Sequence, residues 1–470
     1  MKSNILYLAP IAVLASAGCT VGSDYVRPTT DAPAEYKSAS SGSWKEGRPL
    51  DHAPKGDWWE IYGDGDLNRL QSRATRANQE LKAAVARVEQ ARATARGARG
   101  ELLPTLNANP GHTRYRLSSD QAPHFGGATA DSFRMPLDLS YEIDLWGRVR
   151  RGFEGAHADS EASIAAYHNV LLILHADVAQ NHFALRALDA EISIVADAIG
   201  LRKQRVQLVS DRFEQGVGDQ LDLSRAKSEL ASAEAEATSL AKRRAELENA
   251  LAILVGENPS TFKVPAANRL TPWNPAPPNI PAGLPADLLE RRPDVSEAER
   301  QLAAANARVG VAKAAFFPRL SLTGSSGYVS GELGDLFNWD SRVWSIGPSV
   351  SLPIFTGGRN QANLKRSEFA YEEAVARYRQ KILVAFGEVE SSLSGIRFLA
   401  EQAAAQDRAV TDARRAARLA DERYRSGIVS HLEALDADRE ALQAERAKAQ
   451  LAGQRLIASA QLVKALGGGW

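Results

Sequence analysis

Few residues in this chain are placed to do chemistry, and their spacing limits what they can do. His168, His175 and His182 recur every seven positions, which sets neighbouring imidazoles about 10 Å apart along a helix. A helix offers one metal ion two histidines when they stand four residues apart. The sevenfold spacing therefore reads as packed or solvated positions. Gly357-Gly358-Arg359 lacks the Lys-Ser/Thr that completes a phosphate loop. Gly324-Ser325-Ser326-Gly327 lies inside an alternating stretch and is strand, not the sharp turn of a nucleophile elbow. With 1 Cys and 2 Met in 470 residues, no thiolate or thioether relay for soft metals is available. Nothing marks an enzyme, and no metal or cofactor site is expected.

The lone cysteine has another use. Lys2 gives a positive start, Ile5 to Leu14 an apolar run, and Leu14-Ala15-Ser16-Ala17-Gly18-Cys19 a small-residue cleavage region. Ala17-Gly18-Cys19 resembles a lipobox, which makes residues 1–18 a lipoprotein signal peptide. Cys19 then becomes the mature N-terminus, carrying a diacylglycerol and an N-acyl chain. Thr20, rather than Asp, follows it and favours the outer membrane over the inner. Lys+Arg and Asp+Glu both number 57, so no basic surface argues for nucleic acid. No stretch approaches the roughly 20 apolar residues of a membrane-spanning helix.

The elements that must position these residues are strands and very long helices. In Phe133 to Arg148, Phe133, Met135, Leu137, Leu139, Tyr141, Ile143 and Leu145 alternate with Arg134, Asp138, Ser140, Glu142 and Asp144. That is a strand with one apolar and one charged face. Trp344, Ile346, Val350, Leu352 and Ile354 repeat the pattern, as do Leu320, Leu322 and Tyr328; a first strand near Thr105 to Arg116 is less regular. Strands of about ten residues, apolar on one face and polar on the other, are the signature of a membrane barrel. Four strands cannot close one, and open edges are not tolerated in lipid. Two copies would give eight strands around a filled interior, and three would give twelve around a channel.

The chain also repeats itself at an offset of about 211 positions: Arg212, Gly216, Leu221, Ala226 and Glu229 match Arg423, Gly427, Leu432, Ala437 and Glu440. One architecture is built twice. Heptads run through Leu185, Leu188, Ile192, Val195, Ile199, Val206, Val209 and Phe213, and through Tyr378, Ile382, Ala385, Val389, Ile396, Leu399, Ala403, Val410, Ala417 and Tyr424. Such seams predict coiled coils. A helix near 148–215 would be on the order of 100 Å long. The boundaries follow: an extended N-terminal segment over 19–65, a first repeat over 66–255, a Pro-rich connector over 256–292 and a second repeat over 293–466. Strands fall near 102–116, 131–146, 318–331 and 341–356, and long helices near 148–215, 219–255, 359–425 and 430–466. Asp294 with Glu297 reads as a helix-capping pair.

Several motifs together resemble one family. They are Cys19-Thr20-Val21-Gly22-Ser23-Asp24-Tyr25 with Arg27-Pro28, Trp58-Trp59 with Leu67 and Asn78, and Tyr141 to Arg148. Leu289-Glu290-Arg291-Arg292-Pro293-Asp294 and Pro353-Ile354-Phe355 before Gly357-Gly358-Arg359 complete the set. The chain resembles the outer membrane factors of tripartite efflux systems, TolC-like proteins, in their NodT/OprM-like lipoprotein branch. Ser23 departs from the Pro usual there.

The resemblance implies an α+β membrane protein. It would be a homotrimer, with a twelve-stranded β-barrel, four strands per chain, continuous with a twelve-helix periplasmic α-barrel. It further implies a passive exit duct for drugs or other toxic small molecules, lipid-anchored in the bacterial outer membrane. Its partners would be a periplasmic adaptor protein and an inner-membrane pump of the resistance-nodulation-division type. The rival readings are a duct for type I secretion or a structural coiled-coil outer-membrane lipoprotein. By the same resemblance, Leu432, Glu433 and Asp436 form the periplasmic gate, with Asp222 a weaker member. Arg212, Gly216, Val217, Gly218, Arg423, Gly427, Ile428 and Val429 form the tips that meet the adaptor. Asp438 reads as a surface acid paired with Arg439 or Lys448.

Overall fold

A computed structural model describes residues 20–29, 36–37, 56–118, 127, 129–266, 273, 275–280 and 291–468. Residues 1–18, Cys19, Leu289 and Glu290 therefore lie outside the described residues, as do parts of the N-terminal segment and of the connector. In chain order the elements are α1 (Gly65–Ala77), α2 (Gln79–Gly100), β1 (Thr105–Ala108), β2 (Gly111–Arg116), β3 (Thr129–Ile143), α3 (Arg148–Glu214), α4 (Gln220–Leu254), α5 (Pro293–Ala314), β4 (Arg319–Ser330), β5 (Arg342–Ser351), α6 (Arg359–Arg425) and α7 (His431–Ala465). The chain divides into two compact units.

The first unit holds Met1–Thr29, Arg87–Ile164 and Glu297–Arg379, and with them the sheet. Its strands are all antiparallel, in the order β1-β3-β4-β5, with β2 also on β3. The expected first strand is broken at Asn109-Pro110, where Pro110 has no N–H to give the ladder. The break does not shift the register: Ala108 faces Leu137 and Gly111 faces Arg134. β3 ends at Ile143 and β5 at Ser351, short of 146 and 356. Pro353 and the left-handed pair Gly357 and Gly358 take over after β5, and left-handed Gly147 turns the chain into α3. A side chain at Gly147 would also strike Thr20, whose neighbour Val21 donates its N–H to the Trp146 carbonyl at 3.0 Å.

The second unit holds Thr30–Ala86, Ala165–Ser296 and Gln380–Trp470. Its core gathers Trp58, Trp59, Leu67, Leu70, Phe183, Leu251, Val389 and Leu462. Asp64 caps α1, its Oδ1 accepting from the Asp66 and Leu67 N–H groups at 2.9 and 3.0 Å. Leu188, Val195 and Leu240 close a coiled-coil seam between α3 and α4. Tyr378 of the first unit and Ile382, Val389, Val410 and Tyr424 of the second, all on the predicted α6 stripe, are buried.

Asp294 does not cap α5. The helix starts at Pro293, so Asp294 already lies in its first turn, and its carboxylate takes Arg292 in two contacts at 3.0 and 2.8 Å. One window of α3 does reach membrane-spanning length and hydropathy, with 44% of it buried. α3 and α6 have 67 residues each and α4 and α7 have 35 each, and the starts of α3 and α6 are 211 positions apart.

Candidate functional site

Two places in the molecule carry the predicted chemistry: the sheet and the helical hairpin turns. In the sheet, cross-strand partners share a face. One row joins Leu106, Leu139, Gly324 and Ile346, and another joins Ile143, Leu320 and Val350. Neighbouring rows on the opposite face join Asn107, Asp138, Ser325 and Ser345, or Glu142, Ser321 and Ser349. The alternation read in single strands is therefore in phase across β1, β3, β4 and β5, giving one mainly apolar face and one mainly polar face. Ile346 and Val350 are each 67% exposed and Trp344 71%. A water-facing sheet with so much exposed apolar surface is unfavourable. Where the strands meet the helices, a cavity of about 280 Å³ is lined by Glu142, Arg148, Arg319 and Arg359 among others. Glu142 accepts from the Arg148 guanidinium at 2.8 and 2.9 Å.

The two hairpin turns lie in the second unit. After α3, Gly216 is left-handed (φ +76°) and the Val217 N–H returns to the Arg212 carbonyl at 3.0 Å. After α6, Gly427 is left-handed (φ +72°) and the Ile428 N–H returns to the Arg423 carbonyl at 2.9 Å. These are Schellman endings that only glycine adopts without strain. The next helices are capped by the side chains of Asp219 and Ser430. Val217 and Ile428 are exposed, Gly218 and Val429 half-buried. Arg212 is not a free cation at the tip, because its guanidinium lies over the Tyr424 ring at 5.2 Å. Arg423 is exposed.

Leu432, Glu433 and Asp436 are all exposed on the first turns of α7. Glu433 makes no ion pair among the described residues, while Asp436 meets Arg439 at 3.3 Å. Arg439 also holds Glu229 of α4, keeping that carboxyl below its usual range. Asp438 turns inward instead of pairing with Arg439 or Lys448. Arg205 of α3 grips it, and grips Asp421 of α6 at 2.7 Å. Burial pushes the Asp438 carboxyl upward, with Arg205 opposing. Lys448 pairs with Asp407, and Asp222 lies 3.8 Å from Arg225.

One residue escaped the sequence reading. His431 opens α7, is 2% exposed, and packs on Tyr424 with 5.3 Å between ring centres. Neither ring nitrogen has a hydrogen-bond partner among the described residues. Its spacing to buried Ala434 and Leu435 is that of a core position and would have revealed it. The histidines at sevenfold spacing are structural where their contacts are seen. His182 bonds Asp64 at 2.7 Å, and His175 bonds Thr75 at 2.9 Å, with burial pushing its imidazole down to about 4.

Comparison with known proteins agrees with this geometry. A family model described as outer membrane efflux protein matches residues 70–257 and 284–468. The chain is 34% identical over 98% of both sequences to the solvent efflux pump outer membrane protein SrpC of Pseudomonas putida. It is 33% identical, over 98% of both, to the cation efflux system protein CusC of Escherichia coli O6:H1. Among solved structures, the outer-membrane channel OprN superposes with a TM-score of 0.87 at 32% identity, covering 96% of this chain and 100% of that one.

Proposed function

Because this chain belongs to the outer membrane efflux protein family, we infer that it is the outer-membrane exit duct of an efflux pump. The observation that carries the reading is the in-phase register of the sheet, with one apolar and one polar face. From Phe133 to Ile143 the apolar face covers about 34 Å of strand. At the tilt usual for membrane barrels this matches an apolar band about 25 Å tall. Three copies supply twelve strands for the barrel and twelve long-helix segments for a periplasmic tunnel, each copy being one architecture built twice. A structural coiled-coil lipoprotein would need no such two-faced sheet.

The duct is passive. Relatives of similar identity are named for solvent and for cation efflux, which fits a channel whose pump chooses the cargo. The partners are a periplasmic adaptor and an inner-membrane pump of the resistance-nodulation-division type. Val217 and Ile428 are exposed at glycine turns whose missing side chains permit close approach, so the tips serve as the adaptor's docking surface. Acylated Cys19 anchors the chain. Its neighbour Thr20 packs on Gly147, in the turn between β3 and α3.

Leu432, Glu433 and Asp436 form the gate. Residues three apart share a helix face, so threefold symmetry makes rings of Glu433 and Asp436 carboxylates that favour cations and bind divalent ones. Purified protein in a planar bilayer should show discrete conductance; its absence overturns the duct. Divalent block and cation preference should fall in Glu433→Ala/Asp436→Ala, and a double variant that keeps both moves the gate elsewhere. Cys19→Ala should lose lipid labelling.

A further inference from the structure

The apolar face of the sheet does not end alike at its two edges. Towards the helices it stays apolar to the last row, Ile143, Leu320 and Val350. Towards the β4–β5 connection it becomes cationic. Register puts His112 opposite Phe133, Arg114 opposite Asp131, Arg116 opposite Thr129 and Arg342 opposite Tyr328, all in phase with Leu106 and Leu139. All four therefore stand on the apolar face, His112 and Arg342 in its outermost rows and Arg114 and Arg116 just beyond them. The polar face at this edge carries Arg134 and Thr113 instead.

The β4–β5 connection carries its own acids, Glu332, Asp335 and Asp340, so the unbalanced charge on this rim lies at β2. Asp131, the acid of the same rows, is taken by His112 at 2.8 Å. Arg114 and Arg116 are exposed and have no carboxylate partner among the described residues. They are two residues apart on one face of a strand, about 7 Å, a spacing at which two guanidinium groups can share one phosphate. Arg342 lies 3.5 Å over the Trp339 ring, and Trp339 and Phe337 are 72% and 68% exposed. Aromatic rings beside an apolar band suit a membrane–water boundary.

We propose that Arg114 and Arg116, on this rim, bind the phosphorylated head group of a glycolipid of the lipid A type, whose acyl chains lie on the apolar rows below. The proposal rests on the reading that the apolar face meets lipid. Charge complementarity names the occupant: guanidinium forks bind phosphate oxygens in two-point contacts, and Arg114 and Arg116 present two of them side by side where the band ends. A phosphomonoester offers more charge and more oxygens than the phosphodiester of an ordinary phospholipid, and so is preferred.

The test uses the full-length protein in non-ionic detergent, with native mass spectrometry to count bound lipid. The probes are bisphosphorylated lipid A, its dephosphorylated form, and phosphatidylglycerol. Wild type should retain bisphosphorylated lipid A over both other probes, and added salt should weaken that binding. Arg114→Gln/Arg116→Gln should bind about tenfold more weakly or worse. Arg134→Gln, on the opposite face, should bind as wild type does, and Arg114→Lys/Arg116→Lys, which keeps the charge but loses the two-point fork, should fall between wild type and the Gln variant. Equal retention of the dephosphorylated lipid or of phosphatidylglycerol overturns the proposal, as does equal loss in Arg134→Gln. Conductance of each variant in a phospholipid bilayer is recorded in parallel. A conducting variant that has lost lipid A separates the rim from the duct, and a wild type that never conducts undermines the duct itself.

Discussion

At the end of α3, Phe213 is 38% exposed; at the end of α6 its counterpart Tyr424 is 8% exposed. Around them the backbones coincide. Gly216 and Gly427 take the same left-handed turn, and an N–H five residues on closes each helix. Asp219 and Ser430 each cap the following helix. The side chains do not coincide. Tyr424 supports Arg212 from the other hairpin and His431 from its own, whereas Phe213 faces outward and Gln220, the counterpart of His431, is exposed. A pattern of glycine and cap residues decides the path of the chain. What a turn does is decided by the few side chains that differ.

The largest effect should come from removing the buried ring. Tyr424→Ala should destabilise the α6–α7 turn by about 3–5 kcal/mol, the usual loss for a buried aromatic, and should release Arg212 as well. Phe213→Ala at the other turn should stay within about 1 kcal/mol. Amide hydrogen exchange in the first turns of α4 and α7 would measure both, and equal losses would mean that the two turns are packed alike.

The glycines test the shared backbone. Gly216→Val and Gly427→Val should each cost about 1–2 kcal/mol, because a Cβ disfavours the left-handed conformation. Gly218 breaks the symmetry. A Cβ there would stand 2.8 Å from the Phe213 nitrogen, although its counterpart is Val429. Gly218→Val should therefore slow α3–α4 hairpin formation or lower trimer yield, while Val429→Gly should be mild. If Gly218→Val is silent, the two turns are interchangeable after all. Smaller still are the caps: Asp219→Ala and Ser430→Ala should each cost about 1 kcal/mol, seen as faster exchange at the helix starts.

These contrasts also mark what could be read without a structure. The turns were legible, since Gly216 and Gly427 stand at equivalent places in a repeated motif and interrupt long seams. The strand faces were legible, because a period of two leaves no freedom once one face is apolar. The interruption at Pro110 was not, since a proline can end a strand or sit at an edge with equal ease. Partners far apart in sequence were not legible either. Arg205 reaches Asp438 across 233 positions, and Arg439 reaches Glu229 across 210. Periodicity says which face of a helix is buried, but not which charge on the next helix will meet it. For that reason Asp438 read as a surface acid, and the contact of Arg212 with Tyr424 went unseen.

The smallest effect, and the sharpest test of the difference, concerns acid. His431 is held uncharged chiefly by burial, with Arg205 and Arg225 opposing its proton and Asp222 and Asp438 favouring it; its pKa lies below the ordinary histidine value. The start of α7 adds the positive end of a helix dipole, which also disfavours an imidazolium. In an opened turn the ring would regain the ordinary value of about 6.5. The opened state therefore binds more protons than the closed one in this window, so stability rises with pH there. The closed turn keeps the full contribution above about pH 6.5 and loses it as the pH falls below. Exchange in the first turn of α7, corrected for its intrinsic pH dependence, should quicken between about pH 7.5 and 5.5. The first turn of α4, with Gln220 in place of the histidine, should hold steady. His431→Gln should remove the response, and Asp438→Asn should leave most of it. A response that survives His431→Gln, or one of equal size in α4, would mean that acid acts on both hairpins through their carboxylates and that the buried histidine is inert.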